Sequence, residues 1–353
     1  MNWIYLLPVL AACIAFACNI LVIRNAHKWR LLDNPNHRSS HLQPTPSGGG
    51  IGLALAGVLT GLFVVWQAGW PVGAKVLAIS AVLALVSFLD DLRPMRASLR
   101  LGIQAAMGAC LLLLLGGLPE IERFLNAYAS RTLIYLVLLL VIVWWINLFN
   151  FMDGIDGLAG AQAIFMLMAG AALLTWLNAA FRGDPVWLLM LCVAAATGGF
   201  LLLNWSPAKI FMGDVGSIYL SFTILAFALL SIRNDWISVL PGLAMWAILG
   251  AAFVADATVT LLVRAFTGQR WYEAHRNHAY QLLSRKWGRH QPVALLFVSI
   301  NCLWLLPLAA ACILAPRWSA AWVALAYIPL GLAAWMLGAG RRDNDQLAGP
   351  KPP

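Results

Sequence analysis

TLIYLVLLLVIVWWINLFNFMDGIDGLAG, residues 132–160, is the stretch that decides the fold. No charged residue interrupts it from Thr132 to Met152, which is long enough to cross about 30 Å of hydrocarbon as a helix. It then runs into Asp153 and Asp156. Carboxylates are expensive at membrane depth, so their placement at the end of an apolar run reads as a site. A second such string, FMGDVGS at residues 211–217, opens another apolar run.

The rest of the chain has the same character. Of 353 residues, 62% are hydrophobic and only 10% are charged, far too apolar for a soluble protein of this length. Comparable runs begin near residues 3, 49, 76, 101, 132, 161, 186, 218, 237, 292 and 321. The expected fold is therefore all-α, a polytopic bundle of about eleven transmembrane helices. The third run, 76–89, and the eighth, 218–232, are short and need their polar flanks to complete a crossing.

Assigning alternate loops to one side gathers most of the 23 Lys and Arg residues there, leaving Lys75, Arg123, Arg131, Arg182, Arg233 and Arg317 on the other. The positive-inside bias then puts the N-terminus in the periplasm and the C-terminus in the cytoplasm. The first run has no basic residue before it and Arg24 and Lys28 after it, so it reads as an anchor rather than a cleaved leader. The six cysteines lie in apolar runs without C-x-x-C spacing, which argues against a disulfide framework or a zinc site. All six histidines fall on the inner side, together with Asp33, Asp90, Asp91, Asp153, Asp156, Asp214 and Asp256.

Five inner segments carry the polar chemistry. DNPNHRSSHLQPTPSGGG, residues 33–50, has three prolines that oppose a helix. Its Gly48–Gly50 either let helix N–H groups hold phosphate or serve close packing. Asp90 and Asp91 end the third run against the helix dipole. Neighbouring positions lie about 100° apart, so one can face a cavity while the other pairs with Arg93 or Arg96. Asn147, Asn150, Asp153 and Asp156 recur every third residue, and Gly154 and Gly157 suggest that the helix opens there into a loop around a ligand. The spacing does not fit a calcium loop. Asp214, between Gly213 and Gly216, is open to a bulky phosphate, suits magnesium shared with phosphate oxygens, and has Lys209 nearby to offset charge. The last segment, ADATVTLLVRAFTGQRWYEAHRNHAYQLLSRKWGRHQ at residues 255–291, supplies His275, Arg276 and His278. Two histidines make half a metal site with no third ligand, so phosphate contact is the better reading, beside a basic surface drawn to anionic lipid.

Taken together these strings resemble the bacterial polyprenyl-phosphate N-acetylhexosamine-1-phosphate transferases, glycosyltransferase family 4. The resemblance rests on D-x-P-x-x-R-x-x-H at Asp33, Pro35, Arg38 and His41, the pair Asp90 and Asp91, the string from Asn147, F-M-G-D-x-G-S at Phe211, and the His-containing loop. It implies transfer of a sugar 1-phosphate from a UDP-N-acetylhexosamine to undecaprenyl phosphate at the bacterial inner membrane, with release of UMP. Mg2+ is the implied cofactor, with Asp214 its chief ligand and Asn150 a second. Asp90 is implied as base or acceptor-positioning group beside Asp91. Asp153 and Asp156 would hold nucleotide and geometry, with His275 and His278 near the pyrophosphate. Arg38, His41, Asn147, Lys209 and Arg276 complete the implied substrate contacts. Membrane lipid is a partner, nucleic acid is not, and a homodimer is left open.

Two departures bear on the substrate. The His loop reads HRNHAYQ, without consecutive histidines, and HLQPTPSGGG lacks the lysine of the muramoyl branch. Both look more like the branch that initiates O-antigen and lipopolysaccharide with N-acetylfucosamine, N-acetylquinovosamine or N-acetylglucosamine. A cation-coupled transporter or lipid flippase is the competing class, but it would place carboxylates near midplane. CDP-alcohol phosphotransferases carry D-G-x-x-A-R, and this chain lacks that Arg after Asp156. Residues 1–340 read as one membrane transferase domain and 341–353 as a polar cytoplasmic tail.

Overall fold

The computed structural model describes residues 3–33, 44–116, 130–270 and 275–342, together with Pro119, Glu122 and Glu273. Among these the chain is helical apart from one short ladder. The helices are α1 (Leu7–Trp29), α2 (Gly49–Ala68), α3 (Pro71–Leu92), α4 (Ala97–Leu114), α5 (Arg131–Phe151), α6 (Leu158–Leu177), α7 (Pro185–Asn204) and α8 (Gly213–Arg233). They are followed by α9 (Val239–Leu249), α10 (Ala251–Phe266), α11 (Ala279–Trp287), α12 (Gln291–Leu314) and α13 (Ser319–Met336). Among the described residues ten helical spans are long and apolar enough to cross a membrane, and eleven if α9 and α10 form one bent span.

The two runs expected to be short are complete helices. α3 gains a turn at each end, with Pro71 at its start where a missing N–H costs nothing. α8 begins at Gly213, so Asp214 and Ser217 lie inside its first turns. It is also the most buried span, packed against α2, α3, α5, α6, α7 and α9. Gly216 lets it approach α2 closely, since a Cβ on Gly50 would collide with the Gly216 backbone nitrogen. Two of its serine hydroxyls bond within the helix, Ser221 to the Ile218 carbonyl and Ser231 to that of Ala228. Outer helices instead turn side chains such as Leu113, Leu202 and Leu303 outward, as a lipid-facing surface requires.

The run expected to start near residue 237 as a single span is broken. α9 and α10 meet at Gly250 with a bend of 73°. The break frees the Leu249 carbonyl, which accepts from Gln162 Nε2 at 3.0 Å, and Gln162 Oε1 accepts from Asn301 Nδ2 at 2.7 Å. Residues 255–266, read from the sequence as part of the polar inner segment, are therefore helix α10, and the loop starts at Thr267.

The Gly-rich entry to α2 also differs from the phosphate-cradle reading. The N–H groups of Gly49 and Gly50 donate to the carbonyls of Phe211 and Met212, each at 2.8 Å. With both donors committed, these glycines knit two loops together. A two-residue antiparallel ladder, β1 (Leu32–Asp33) with β2 (Thr45–Pro46), closes the first inner segment. Arg38 and His41 lie outside the described residues. At the other end of the chain Arg341 is tied in, since its carbonyl accepts from Asn277 Nδ2 at 2.9 Å.

Candidate active site

Because successive spans alternate in direction, the C-terminal ends of α1, α3, α5, α7, α10 and α13 share one face of the bundle with the N-terminal ends of α2, α4, α6, α8 and α12. At that face lies a cavity of about 550 Å³. α3 contributes Asp91, α5 contributes Asn150, and the loop to α6 contributes Asp153 and Asp156. Asp214 enters from the first turn of α8, and His275, Arg276 and Gln281 form a further part of the wall. Asp33 and Asn204 complete the polar lining.

Four expected residues are placed elsewhere. Asp90 is buried and committed: its Oδ1 accepts the Met95 N–H at 2.6 Å and its Oδ2 accepts Arg100 Nη1 at 2.9 Å. The pairing expected with Arg93 or Arg96 goes instead to Arg100, one helical turn into α4, which also reaches Asp214 at 3.4 Å. Asn147 Nδ2 donates to Gln104 and to the Val143 carbonyl, joining α5 to α4. Lys209 is exposed and outside the cavity lining. His278 is only 2% exposed and sits behind His275, their rings stacked with centroids 4.9 Å apart.

Sequence reasoning passed over Arg100, Asn204, Gln281 and His290. Asn204 accepts from the Gly157 N–H and donates to the Ile210 carbonyl, each at 2.9 Å, so it braces the two aspartate-bearing loops. His290, at the start of α12, places Nδ1 3.1 Å from Asp156 Oδ1. The Ala208 N–H donates to the other Asp156 oxygen at 3.2 Å.

Asp91, Asp153, Asp156 and Asp214 repel one another across this cavity. Asp91 Oδ2 is buried with no hydrogen-bond partner among the described residues, and the Asn150 amide is turned to the Asp214 carboxylate. Among the described residues no three His, Cys, Asp or Glu side chains converge into a ready-made metal cage. The arrangement fits Mg2+, which binds through one or two carboxylates and completes its octahedron with water and substrate phosphates.

Residues 74–232 match the family described as Glycosyl transferase family 4. The phospho-N-acetylmuramoyl-pentapeptide-transferase of Mycobacterium sp. (strain JLS) is 32% identical over 304 residues, 73% of this chain and 81% of the relative. The chain belongs to glycosyl transferase family 4. The proteins of the same name from Mycobacterium marinum and Mycobacteroides abscessus are 32% and 30% identical, over 73% and 71% of this chain and 81% and 80% of their own. As a phosphosugar transferase of this family, the chain handles anionic phosphates, and its acidic cavity needs compensating positive charge to do so.

The charge state of the loops fits that need. Burial first, then the charges of Asp214, Asp91 and Asp156, push the Asp153 carboxyl up to about 7. Burial would raise Asp156 too, but the hydrogen bond and charge of His290 win and hold it below the usual carboxylate range. Burial, with His278 and Arg264 beside it, holds His275 down at about 3, so its imidazole is neutral at pH 7 and Arg276 carries the positive charge on that wall.

Asp153 gives this family-4 transferase a pH signature. Its pKa in the folded protein lies above the unfolded value of about 3.9, so its ionisation opposes folding. The cost is absent below about pH 4 and grows as pH rises towards 7. In chelator, Asp153→Asn should therefore unfold at a higher temperature than wild type at pH 7.5, and most of the gap should be gone by pH 4.5. Magnesium should narrow it at pH 7.5. A gap of constant size across pH would show that Asp153 ionisation does not limit stability.

Proposed function

We propose that the chain transfers an N-acetylhexosamine 1-phosphate from a UDP-sugar to undecaprenyl phosphate on the cytoplasmic face of a bacterial inner membrane. The observation that carries this reading is the convergence of Asp91, Asn150, Asp153, Asp156 and Asp214 with Arg276 and His275 in one cavity at the end of the bundle where these spans start and finish. An oxygen of the lipid phosphate attacks the sugar-bearing phosphorus, the bond to the UMP oxygen breaks, and UMP leaves with that electron pair. A phosphate monoester has a second pKa of about 6, so much of the acceptor is already a dianion at neutral pH.

Phosphoryl transfer asks for positioning and charge neutralisation more than for covalent chemistry. Asp214, with Asn150, would hold Mg2+, which neutralises charge on the transferring phosphate when bound. Arg276 and neutral His275, which line the same cavity, hold the donor pyrophosphate. Asp156, fixed by His290 and Ala208, positions the loop that carries Asp153. Residues 1–340 act as one transferase domain.

For the donor we propose a simple N-acetylhexosamine of the O-antigen-initiating kind, N-acetylfucosamine, N-acetylquinovosamine or N-acetylglucosamine. The HRNHAYQ loop and the missing lysine in HLQPTPSGGG support that choice. The names of the mycobacterial relatives favour a second reading, a muramoyl-pentapeptide donor. Purified protein with Mg2+ and polyprenyl phosphate should release UMP from one of the simple UDP-N-acetylhexosamines. Release only from the UDP-muramoyl-pentapeptide would establish the second reading, and release from none would overturn both.

Sidedness has its own test. Cysteines introduced at Ser47, Ala161 and Lys286, in a background without native cysteines, should react in intact cells only with a membrane-permeant thiol reagent. One at Arg182, at the other end of the bundle, should react with an impermeant reagent. Impermeant labelling of the first three would invert the orientation and remove the cavity from the cytoplasmic nucleotide-sugar pool.

A further inference from the structure

Asp256 lies in α10, in the second limb of the bent span, and is 3% exposed. A buried carboxylate is costly unless its oxygens are hydrogen-bonded, and its partners define its use. Oδ1 accepts the Ala279 N–H and Oδ2 the Tyr280 N–H, both at 2.9 Å. These are the first two N–H groups of α11, which have no partner within their own helix. Thr260 donates to Oδ1 at 3.2 Å, and His278 Nδ1 stands 3.4 Å away. A negative charge supplied by one helix thus caps the positive end of another.

The chain of contacts continues into the cavity. Tyr280, fully buried, donates its hydroxyl to the Phe151 carbonyl at 2.9 Å, at the point where α5 opens into the loop bearing Asp153. That hydroxyl occupies the space a Cβ on Gly154 would need, which explains a glycine directly after Asp153. On the same segment, His275, Arg276 and Gln281 line the donor-side wall.

We propose that Asp256 is a positioning residue for the donor site: through the α11 N-terminus and the Tyr280 hydroxyl it fixes the basic wall against the Asp153 loop. This assignment rests on the functional reading above. Ala279 and Tyr280 each donate to a different carboxylate oxygen, so an Asn at 256 in the same orientation would turn its NH2 towards one of the two N–H groups and lose that bond. In that reading the donor pyrophosphate meets His275 and Arg276, so loss of the anchor falls on the donor.

The test combines amide exchange and kinetics on the full-length protein in detergent. Asp256→Asn should speed hydrogen exchange at Ala279 and Tyr280, and Tyr280→Phe should speed it across residues 152–157, with α1 and α7 unchanged in both. With the active UDP-sugar, Asp256→Asn should lower kcat/KM for the donor by about a hundredfold, the scale of a misplacement near 1 Å. Tyr280→Phe should lower it by about tenfold, the upper range of one hydrogen bond. KM for the lipid should stay within about twofold in both, and the double variant should lose less than the product of the singles, because both cut one path. Unchanged exchange at Ala279 and Tyr280 in Asp256→Asn, or at 152–157 in Tyr280→Phe, overturns the proposal without reference to any sugar. So do fully multiplicative losses or equal losses towards the lipid. If Asp256→Asn does not fold, Tyr280→Phe alone decides by the same two readouts. If no UDP-sugar is turned over, the proposed function fails while the exchange data still decide the anchor.

Discussion

Asp214→Asn is expected to lower kcat/KM by at least about a thousandfold, or about 4 kcal/mol of transition-state stabilisation, while leaving the fold intact. The side chain projects from the first turn of α8 into the cavity, where the Asn150 amide and Arg100 Nη1, at 3.4 Å, already face it. An amide of the same size fits that space. It brings no charge, however, and a neutral oxygen competes poorly with water for Mg2+, which gives up its hydration shell reluctantly. The loss should shrink only modestly at high magnesium, because the missing charge is also missing from the transferring phosphate's surroundings. Thermal unfolding in chelator should be unaffected or slightly raised, since removing one of four mutually repelling carboxylates relieves the others. Near-normal UMP release from this variant at ordinary magnesium would place the cation elsewhere and dissolve the role given to Asn150 as well.

Much of this was legible in the sequence, for a physical reason. Apolar runs bounded by polar turns mark spans, and the aspartates at their ends announce the cavity: Asp91, Asp153, Asp156 and Asp214 all line it. The bend at Gly250 was not legible, because hydropathy stays high through the break. The partners that make it tolerable, Gln162 and Asn301, come from α6 and α12. His278 and His275 look alike as letters. Only the fold reveals that Asp256, some twenty residues upstream, draws His278 inward and leaves His275 at the wall. Arg100 was counted as one more positive-inside charge, and its bridge between Asp90 and Asp214 appears only when α4 is laid against α3 and α8. Asn204 and His290 brace loops distant in sequence, and such bracing leaves no periodic trace.

The adjacent carboxylates Asp90 and Asp91 should give unequal losses, with the larger at Asp91. Family resemblance makes Asp90 the base or acceptor-positioning group, yet both its oxygens are occupied by Met95 and Arg100, whereas Asp91 lines the cavity with Oδ2 unpartnered among the described residues. Asp91→Asn should cost about a thousandfold in kcat, because it removes charge where phosphate chemistry occurs. If Asp91 takes the proton of a monoanionic acceptor, the deficit should change with pH across the range near pH 6 in which the lipid phosphate titrates. A deficit of equal size across pH would assign Asp91 to positioning or cation binding. Asp90→Asn should cost less, about ten- to a hundredfold, by a different route. It releases Arg100, whose Nη1 is already 3.4 Å from Asp214, to pair there and compete with the metal. Raising magnesium should then rescue Asp90→Asn but not Asp91→Asn, and Arg100→Ala should partly restore activity when added to Asp90→Asn. Equal losses at both positions, with no rescue in either, would mean that the pair acts as a single charge and that its division between cavity and Arg100 has no catalytic consequence.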